Sequence, residues 1–304
     1  MLQSKMKESE FGYEKFVGDD NKMVLYTGLT SEQFNALWNF LQPEICTPAR
    51  KGINQKNELF VVLVRCRLGL QYEDLAVRIG ISRQTVSRIF EGWITFLHDM
   101  ACKIDLWPSI KYIDEYMPDN FKPSYARTRI VLDCTEIKVQ SASNCDLQSM
   151  NFSSYKNCAT VKGLVGITPD GVGRFFSDLM PGSTSDNEIT LKSGVLDIIE
   201  PGRGVMTDRG FTIQDVCAEK GLYHYAPPML EAEQLSVSEC AKTFDIAHLR
   251  IHVERFIGRM RNWHILSQVW PMNQYNVLNP AWKVIGFLVN MCPHLGPKIN
   301  HIEE

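Results

Sequence analysis

"TRIVLDCTEIKV", residues Thr128–Val139, decides how the second half of the chain is read. Ile130, Val131 and Leu132 run straight into Asp133, and Thr135, Ile137 and Val139 then alternate with Glu136 and Lys138. So dense a run of β-branched residues reads as a strand, and its apolar first half points to burial on both faces. A carboxylate in the middle of such a strand is costly unless a cation faces it. The candidates are a metal ion and a basic side chain.

On either side of this strand the chain changes character. Residues 1–25 lack periodicity and are expected to form a flexible N-terminus. Residues 26–120 read as helical. In "LTSEQFNALWNFL", Thr30 or Ser31 caps a helix on which Phe34, Leu37, Trp38 and Leu41 recur at helical spacing. "NELFVVLVRCRLGL" is a second, buried helix, and Pro118 and Pro123 punctuate a connector. Over residues 121–304, strands are expected at 129–139, 160–168, 172–180, 203–207 and 222–226, and helices near 185–193, 212–220, 247–267 and 280–292. Several strands followed by alternating strand and helix describe an α/β domain with a mixed sheet, here preceded by an all-α segment.

Composition narrows the function classes. A chain of 304 residues with 44% hydrophobic and 22% charged residues has the balance of an ordinary globular protein and can bury a sizeable core. No apolar stretch reaches membrane-span length, and the opening "MLQSKMKESEFGYEKF" is too polar for a signal peptide. Nine cysteines without a C-x-x-C pair argue for reduced thiols, against a disulfide framework and against structural zinc. The net charge of −3 does not announce a nucleic-acid binder. Locally, however, Arg50–Lys103 carries nine Lys/Arg against five Asp/Glu, and Arg250–Arg261 carries four arginines against one glutamate. Basic zones inside an acidic chain suit contact with a polyanion at particular places, although two solvated faces would show the same counts.

The first basic zone contains "YEDLAVRIGISRQTVSRIFEGW", a helix-turn-helix pattern over about 71–93. Leu75, Ala76 and Ile79 form one apolar stripe, Gly80 breaks the helix, Ile81 plugs the turn, and Ser82 caps the next helix. Val86 and Ile89 face inward, leaving Arg83, Gln84, Thr85, Ser87 and Arg88 outward near the start of a candidate recognition helix. A generic helical hairpin with a solvated polar face shares much of this pattern.

Two more carboxylates stand in settings like that of Asp133. In "RGVMTDRGF", Asp208 follows a short apolar strand at its carboxyl end, where α/β sheets place their sites. In "IAHLRIHVERFIGRMRNWHIL", an amphipathic helix buries Leu249, Val253, Phe256, Ile257 and Met260, while Glu254 lies on another face in line with Arg250, Gly258 and Arg261. Two strand carboxylates and one helix carboxylate suffice for two Mg²⁺ or Mn²⁺ ions held about 4 Å apart, a two-metal site for phosphodiester displacement. Each also has a plainer reading. Asp133 would pair with a buried arginine, Asp208 would be a turn residue, and Glu254 would join Arg250 in a surface pair.

The ordered blocks "VLDCTEIKVQ", "NFSSYKNCATVKGLVGITPDG", "FFSDLMPGSTSDNEIT", "VMTDRGF" and "AHLRIHVERFIGRMRNW" resemble the DDE superfamily endonucleases of the PIF/Harbinger transposase type, in the branch often found behind an N-terminal THAP finger. The resemblance runs over roughly residues 25–295 and takes in the helix-turn-helix. It implies an RNase H-like fold, metal-dependent cutting and joining of DNA, and the catalytic and metal-binding roles for Asp133, Asp208 and Glu254. It also implies DNA-backbone contacts at Lys156 and Lys162, with Arg250 and Arg261 as further basic candidates, and a role for Asp186 either supporting the site or capping the helix after it. No THAP-like Cys/His module precedes residue 25, which leaves autonomous transposition open. The expectation is a nuclear, homo-oligomeric, Mg²⁺- or Mn²⁺-dependent nuclease acting on double-stranded DNA, with no membrane partner. The alternative is a domesticated DNA-binding regulator that keeps the fold without the chemistry.

Overall fold

The computed structural model describes residues 11–46, 48, 50, 52–228 and 236–292. The described chain divides into two compact units, a helical one from residues 11–104 and 261–292 and an α/β one from 105–260.

The helical unit begins earlier than its sequence suggests. Residues expected to be flexible form α1 (Tyr13–Phe16) and α2 (Asp20–Thr27). They are held by an aromatic cluster in which Phe16 stacks on Phe60 at 5.7 Å and Tyr13 stacks on Phe34 at 4.8 Å. Residues 1–10 of that expected N-terminus lie outside the described residues. In α3 (Ser31–Leu41) the cap is Thr30, which forms a reciprocal capping box with Gln33. Helix α4 (Gln55–Leu68) buries every residue from Glu58 to Cys66, so it is covered on all sides rather than along one stripe.

The helix-turn-helix follows as α5 (Tyr72–Ile79) and α6 (Arg83–Cys102). Gly80 ends α5 at φ 79°, a left-handed position that glycine reaches without strain. Ser82 Oγ accepts the Thr85 N–H at 3.2 Å and so caps α6.

The α/β unit opens with the short helices α7 (Ile110–Glu115) and α8 (Lys122–Tyr125) and then the long strand β1 (Thr128–Lys138). Helix α9 (Cys145–Asn151) follows; it buries only Asn151, so its sequence carries no apolar period to read. Next come β2 (Phe152–Ser153), β3 (Cys158–Ile167), β4 (Gly173–Phe176) and β5 (Met180–Pro181). The single strand expected at 172–180 is split because Ser177 Oγ accepts the Leu164 N–H at 2.9 Å in place of a backbone carbonyl. The rest is α10 (Asp186–Lys192), β6 (Gly204–Met206), α11 (Gln214–Glu219), β7 (Tyr223–Tyr225) and α12 (Val237–Arg261).

The sheet order is β2-β3-β1-β6-β7, with β4 and β5 also pairing with β3. β1 is antiparallel to β3 but parallel to β6, and β6 is parallel to β7, so the sheet is mixed. One face carries the core of Ile130, Leu132, Leu164, Ile189, Val205, Phe211 and Cys217, closed by α10 and α11. Side chains alternate along β1, so Asp133 points to the opposite face. There α12 packs through Leu249, Val253, Phe256 and Met260, with Phe256 stacked on Phe176 at 5.9 Å. A helical segment followed by this mixed, helix-covered sheet is the RNase H-like α/β arrangement.

Helix α13 (Leu278–Val289) returns to the helical unit and packs on α6. Residues 261–292, expected with the α/β part, therefore close the helical one. No helix among the described residues is long and apolar enough to cross a membrane.

Candidate active site

Two aspartates are levelled by strand register. Val131 on β1 pairs with Met206 on β6, and the strands are parallel. Asp133 and Asp208 each lie two residues beyond that pair, so they share a level and a face, on neighbours about 4.8 Å apart. Asp208 also opens a turn: its Oδ1 accepts the Arg209 N–H at 2.7 Å and its carbonyl accepts the Phe211 N–H at 3.2 Å. Thr207, buried just before it, bonds the His224 ring at 2.8 Å and ties the end of β6 to β7.

Between the two aspartates sits Arg250 of α12, whose side chain is 6% exposed. Its Nη1 lies 3.0 Å from Asp208 Oδ1 and its Nη2 3.8 Å from Asp133 Oδ1. One helical turn later, Glu254 is exposed on the same side of α12. Burial pushes the Asp133 carboxyl up from 3.8 to about 6. Arg250 and the Cys134 N–H, which donates to Asp133 Oδ1 at 2.9 Å, pull it down, while the charges of Asp208 and Glu254 push it up again. The charges of Asp208 and Glu254 are thus felt at Asp133. Among the described residues, however, no three His, Cys, Asp or Glu side chains stand as a group that could hold a metal ion.

Beside this site, on the other face of β1, a second charged cluster faces α10. Lys162 Nζ donates to Asp186 Oδ1 at 3.0 Å and lies 3.9 Å from Glu136 Oε1, which Thr160 supports through a 2.8 Å bond from its hydroxyl to Oε2. The neighbouring Cys134 thiol is pushed far up by burial and by Asp186.

Two expected DNA contacts are engaged with anions of the protein itself. Arg250 is turned into the aspartates and Lys162 into Asp186, because cations this deeply placed need anions beside them. Lys162 belongs to β3, which has partners on both sides. The cap of α10 is Ser185, whose hydroxyl accepts the Glu188 N–H at 3.1 Å, and Asp186 is left to hold Lys162. The buried-arginine reading of Asp133 is thereby realised, with Arg250 as the partner. The sequence places Arg250 in line with Glu254, as found, but does not show that its side chain is buried against the aspartates. The available signal was that Arg250 falls one residue after buried Leu249 and three before buried Val253.

The remaining candidates are placed as follows. Lys156 is exposed, with its Nζ 4.5 Å from the ring centre of Tyr155 on the β2–β3 turn. Arg261 is exposed at the end of α12. On α6, Arg83, Gln84 and Arg88 are exposed, and Thr85 and Ser87 half-buried. Arg83 pairs with Glu73, Ser87 Oγ donates to Glu91 at 2.9 Å, and Thr85 Oγ1 shares a 2.8 Å bond with Ser82. Gln84 and Arg88 share one exposed face at i,i+4 spacing.

Comparison with known families agrees with these two arrangements. Residues 132–290, just over half of the chain, match the DDE superfamily endonuclease model, and residues 52–103 match the helix-turn-helix of DDE superfamily endonuclease. The chain belongs to the DDE superfamily endonuclease family, a family of transposase and nuclease character. No curated protein and no solved structure matches it.

Proposed function

We propose that this protein is a divalent-metal-dependent DNA endonuclease of the PIF/Harbinger transposase type, cleaving, and in a strand-transfer step joining, phosphodiester bonds at transposon-like DNA ends. The observation that carries the reading is the levelling of Asp133 and Asp208 on parallel neighbours with the charge of Glu254 felt at Asp133. The donor set fits a hard divalent cation, Mg²⁺ or Mn²⁺, because every candidate ligand is a carboxylate oxygen. Asp133, Asp208 and Glu254 would hold it, and a divalent ion there supplies Lewis acidity to a phosphate oxygen and acidifies a bound water.

The protein's own groups supply the rest. The Cys134 and Arg209 N–H groups each hold one oxygen, Oδ1, of Asp133 and Asp208. Asp208 and Glu254 are exposed, so a DNA backbone can reach them. Gly258, one turn beyond Glu254, has nothing within 4 Å of where a Cβ would stand and leaves room on that face. On the helix-turn-helix, Gln84 and Arg88 are proposed to read or flank bases, with Arg83, Thr85 and Ser87 exchanging their present partners for phosphate; Lys156 and Arg261 are further backbone contacts. Action in the nucleus as a homo-oligomer is part of the proposal and rests on the family resemblance alone.

The test is nicking of supercoiled plasmid in Mg²⁺ by wild type and by Asp208→Asn. Cleavage by wild type, abolished by the substitution and by EDTA, is expected. Equal nicking by both, or by neither, would overturn the catalytic reading. The second reading, a DNA-binding regulator without nuclease activity, is favoured by one observation: a guanidinium already lies between the aspartates. DNA binding by both proteins with cleavage by neither would support it.

A further inference from the structure

Two other inward-facing arginines of the α/β unit, Arg129 and Arg203, fork onto a single carboxylate, whereas Arg174 reaches Asp170 by one contact at 3.6 Å and Arg250 reaches two carboxylates. Arg129 is wholly buried and forks onto one carboxylate, with Nε 2.8 Å and Nη2 3.2 Å from the two oxygens of Glu200. Arg203 does the same with Asp114, at 2.6 and 2.7 Å. This two-bond fork is how an arginine makes its best structural pair. Arg250 instead straddles two carboxylates from two strands, one nitrogen to each, with the Asp133 contact at 3.8 Å, outside hydrogen-bond range. Its Nε is buried and has no hydrogen-bond partner. Arg129 also leaves one buried nitrogen, Nη1, without a partner, so what distinguishes Arg250 from it is that its guanidinium bridges two acids, one of them beyond hydrogen-bond range, and so does incompletely what a cation between them would do.

We infer that Arg250 is an internal cation that competes with the divalent ion for the space between Asp133 and Asp208, so that metal loading requires the guanidinium to withdraw. The inference rests on the metal-dependent reading above and concerns the regulation of that site. A dication and a guanidinium held between the same two aspartates repel each other. Withdrawal is open to Arg250 because it hangs from α12 by a flexible stem and its contacts are single rather than forked. The opposite role, a scaffold that keeps two repelling carboxylates together for the metal, predicts the opposite result when the charge is removed.

The experiment is a Mn²⁺ titration of the full chain in the absence of DNA, with free Mn²⁺ followed by electron paramagnetic resonance. Wild type, Arg250→Gln and Arg250→Lys are compared. Arg250→Gln is expected to tighten Mn²⁺ binding at least about tenfold, with Arg250→Lys, which keeps the charge, staying nearer wild type. An unchanged or weakened affinity in Arg250→Gln overturns the inference and leaves the metal site standing. Absence of Mn²⁺ binding in all three proteins overturns the metal reading and the inference with it. A second measurement needs no variant that might misfold. In ¹⁵N-labelled wild type the Arg250 Nε–H resonance is expected to lose its protection from solvent exchange as Mg²⁺ saturates, and retention of full protection would refute withdrawal.

Discussion

Replacing Asp133 by asparagine in the metal-free protein should stabilise the α/β unit at pH 7.5 and give no gain at pH 4.5. The Asp133 carboxyl is raised from 3.8 to about 6, burial being the largest cause. Below pH 3.8 folded and unfolded chains both hold the proton and the site costs nothing. Between 3.8 and 6 the unfolded chain has lost it while the folded chain keeps it, so stability falls as pH rises; above 6 the penalty is complete. At ~1.4 kcal/mol per pH unit it reaches about 3 kcal/mol at pH 7.5 and about 1 kcal/mol at pH 4.5. Asparagine removes the charge, and its amide oxygen can still accept the Cys134 N–H. The new NH₂ must itself be desolvated beside Arg250, costing roughly 1–2 kcal/mol at either pH. That cost cancels between the two conditions, leaving a difference of about 2 kcal/mol in favour of the variant at the higher pH. The assay is hydrogen exchange of the β1 peptide, residues 128–139, in EDTA at pH 4.5 and 7.5, corrected for intrinsic rates. A gain that is equal at both pH values, or larger at pH 4.5, would show that burial does not control this carboxyl.

Two further outcomes test the packing that supports the sites. Glu58 on α4 is buried and accepts from Arg50 Nη1 at 2.9 Å and from Trp93 Nε1 of α6 at 2.7 Å, so Glu58→Ala should cost about 3 kcal/mol in thermal unfolding, and a loss below about 1 kcal/mol would refute the anchoring role. A Cβ on Gly173 would stand 2.3 Å from the Phe256 ring and 2.7 Å from the Phe176 ring, so Gly173→Ala should destabilise the α/β unit by about 1–3 kcal/mol, read as a lower midpoint in urea, whereas an unchanged midpoint would mean that α12 gives way freely.

What could be read from the chain, and what could not, follows the range of the forces involved. Ile130, Val131 and Leu132 announce β1 because a strand buried on both faces must be apolar in consecutive residues, and Gly80–Ser82 announce the turn between α5 and α6 through local backbone and capping chemistry. Helix α12 was expected from residue 247 but starts at Val237, because its first turns bury only Ile246 and carry exposed residues such as Phe244, leaving no stripe to detect. The helices at residues 13–27 were hidden for a similar reason: Phe11 and Phe16 pack on Phe60, a partner more than forty residues away, and Tyr13 on Phe34. At the candidate site, the order of the three carboxylates was legible, whereas the place of Arg250 between two of them was not. A surface arginine and one turned inward differ by less than a quarter turn of helix, and only the sheet opposite decides between them.

The return of α13 to the helical unit has a genetic corollary. The helix-turn-helix ends at Cys102, yet the apolar flank of α6 is completed by Leu278–Val289, encoded more than 170 residues downstream. A frameshift or stop codon shortly after Arg261 would spare every acidic residue of the candidate site and still strip the cover from α6. Among naturally eroded copies of such a gene, intact carboxylates would therefore be a poor sign of an intact protein.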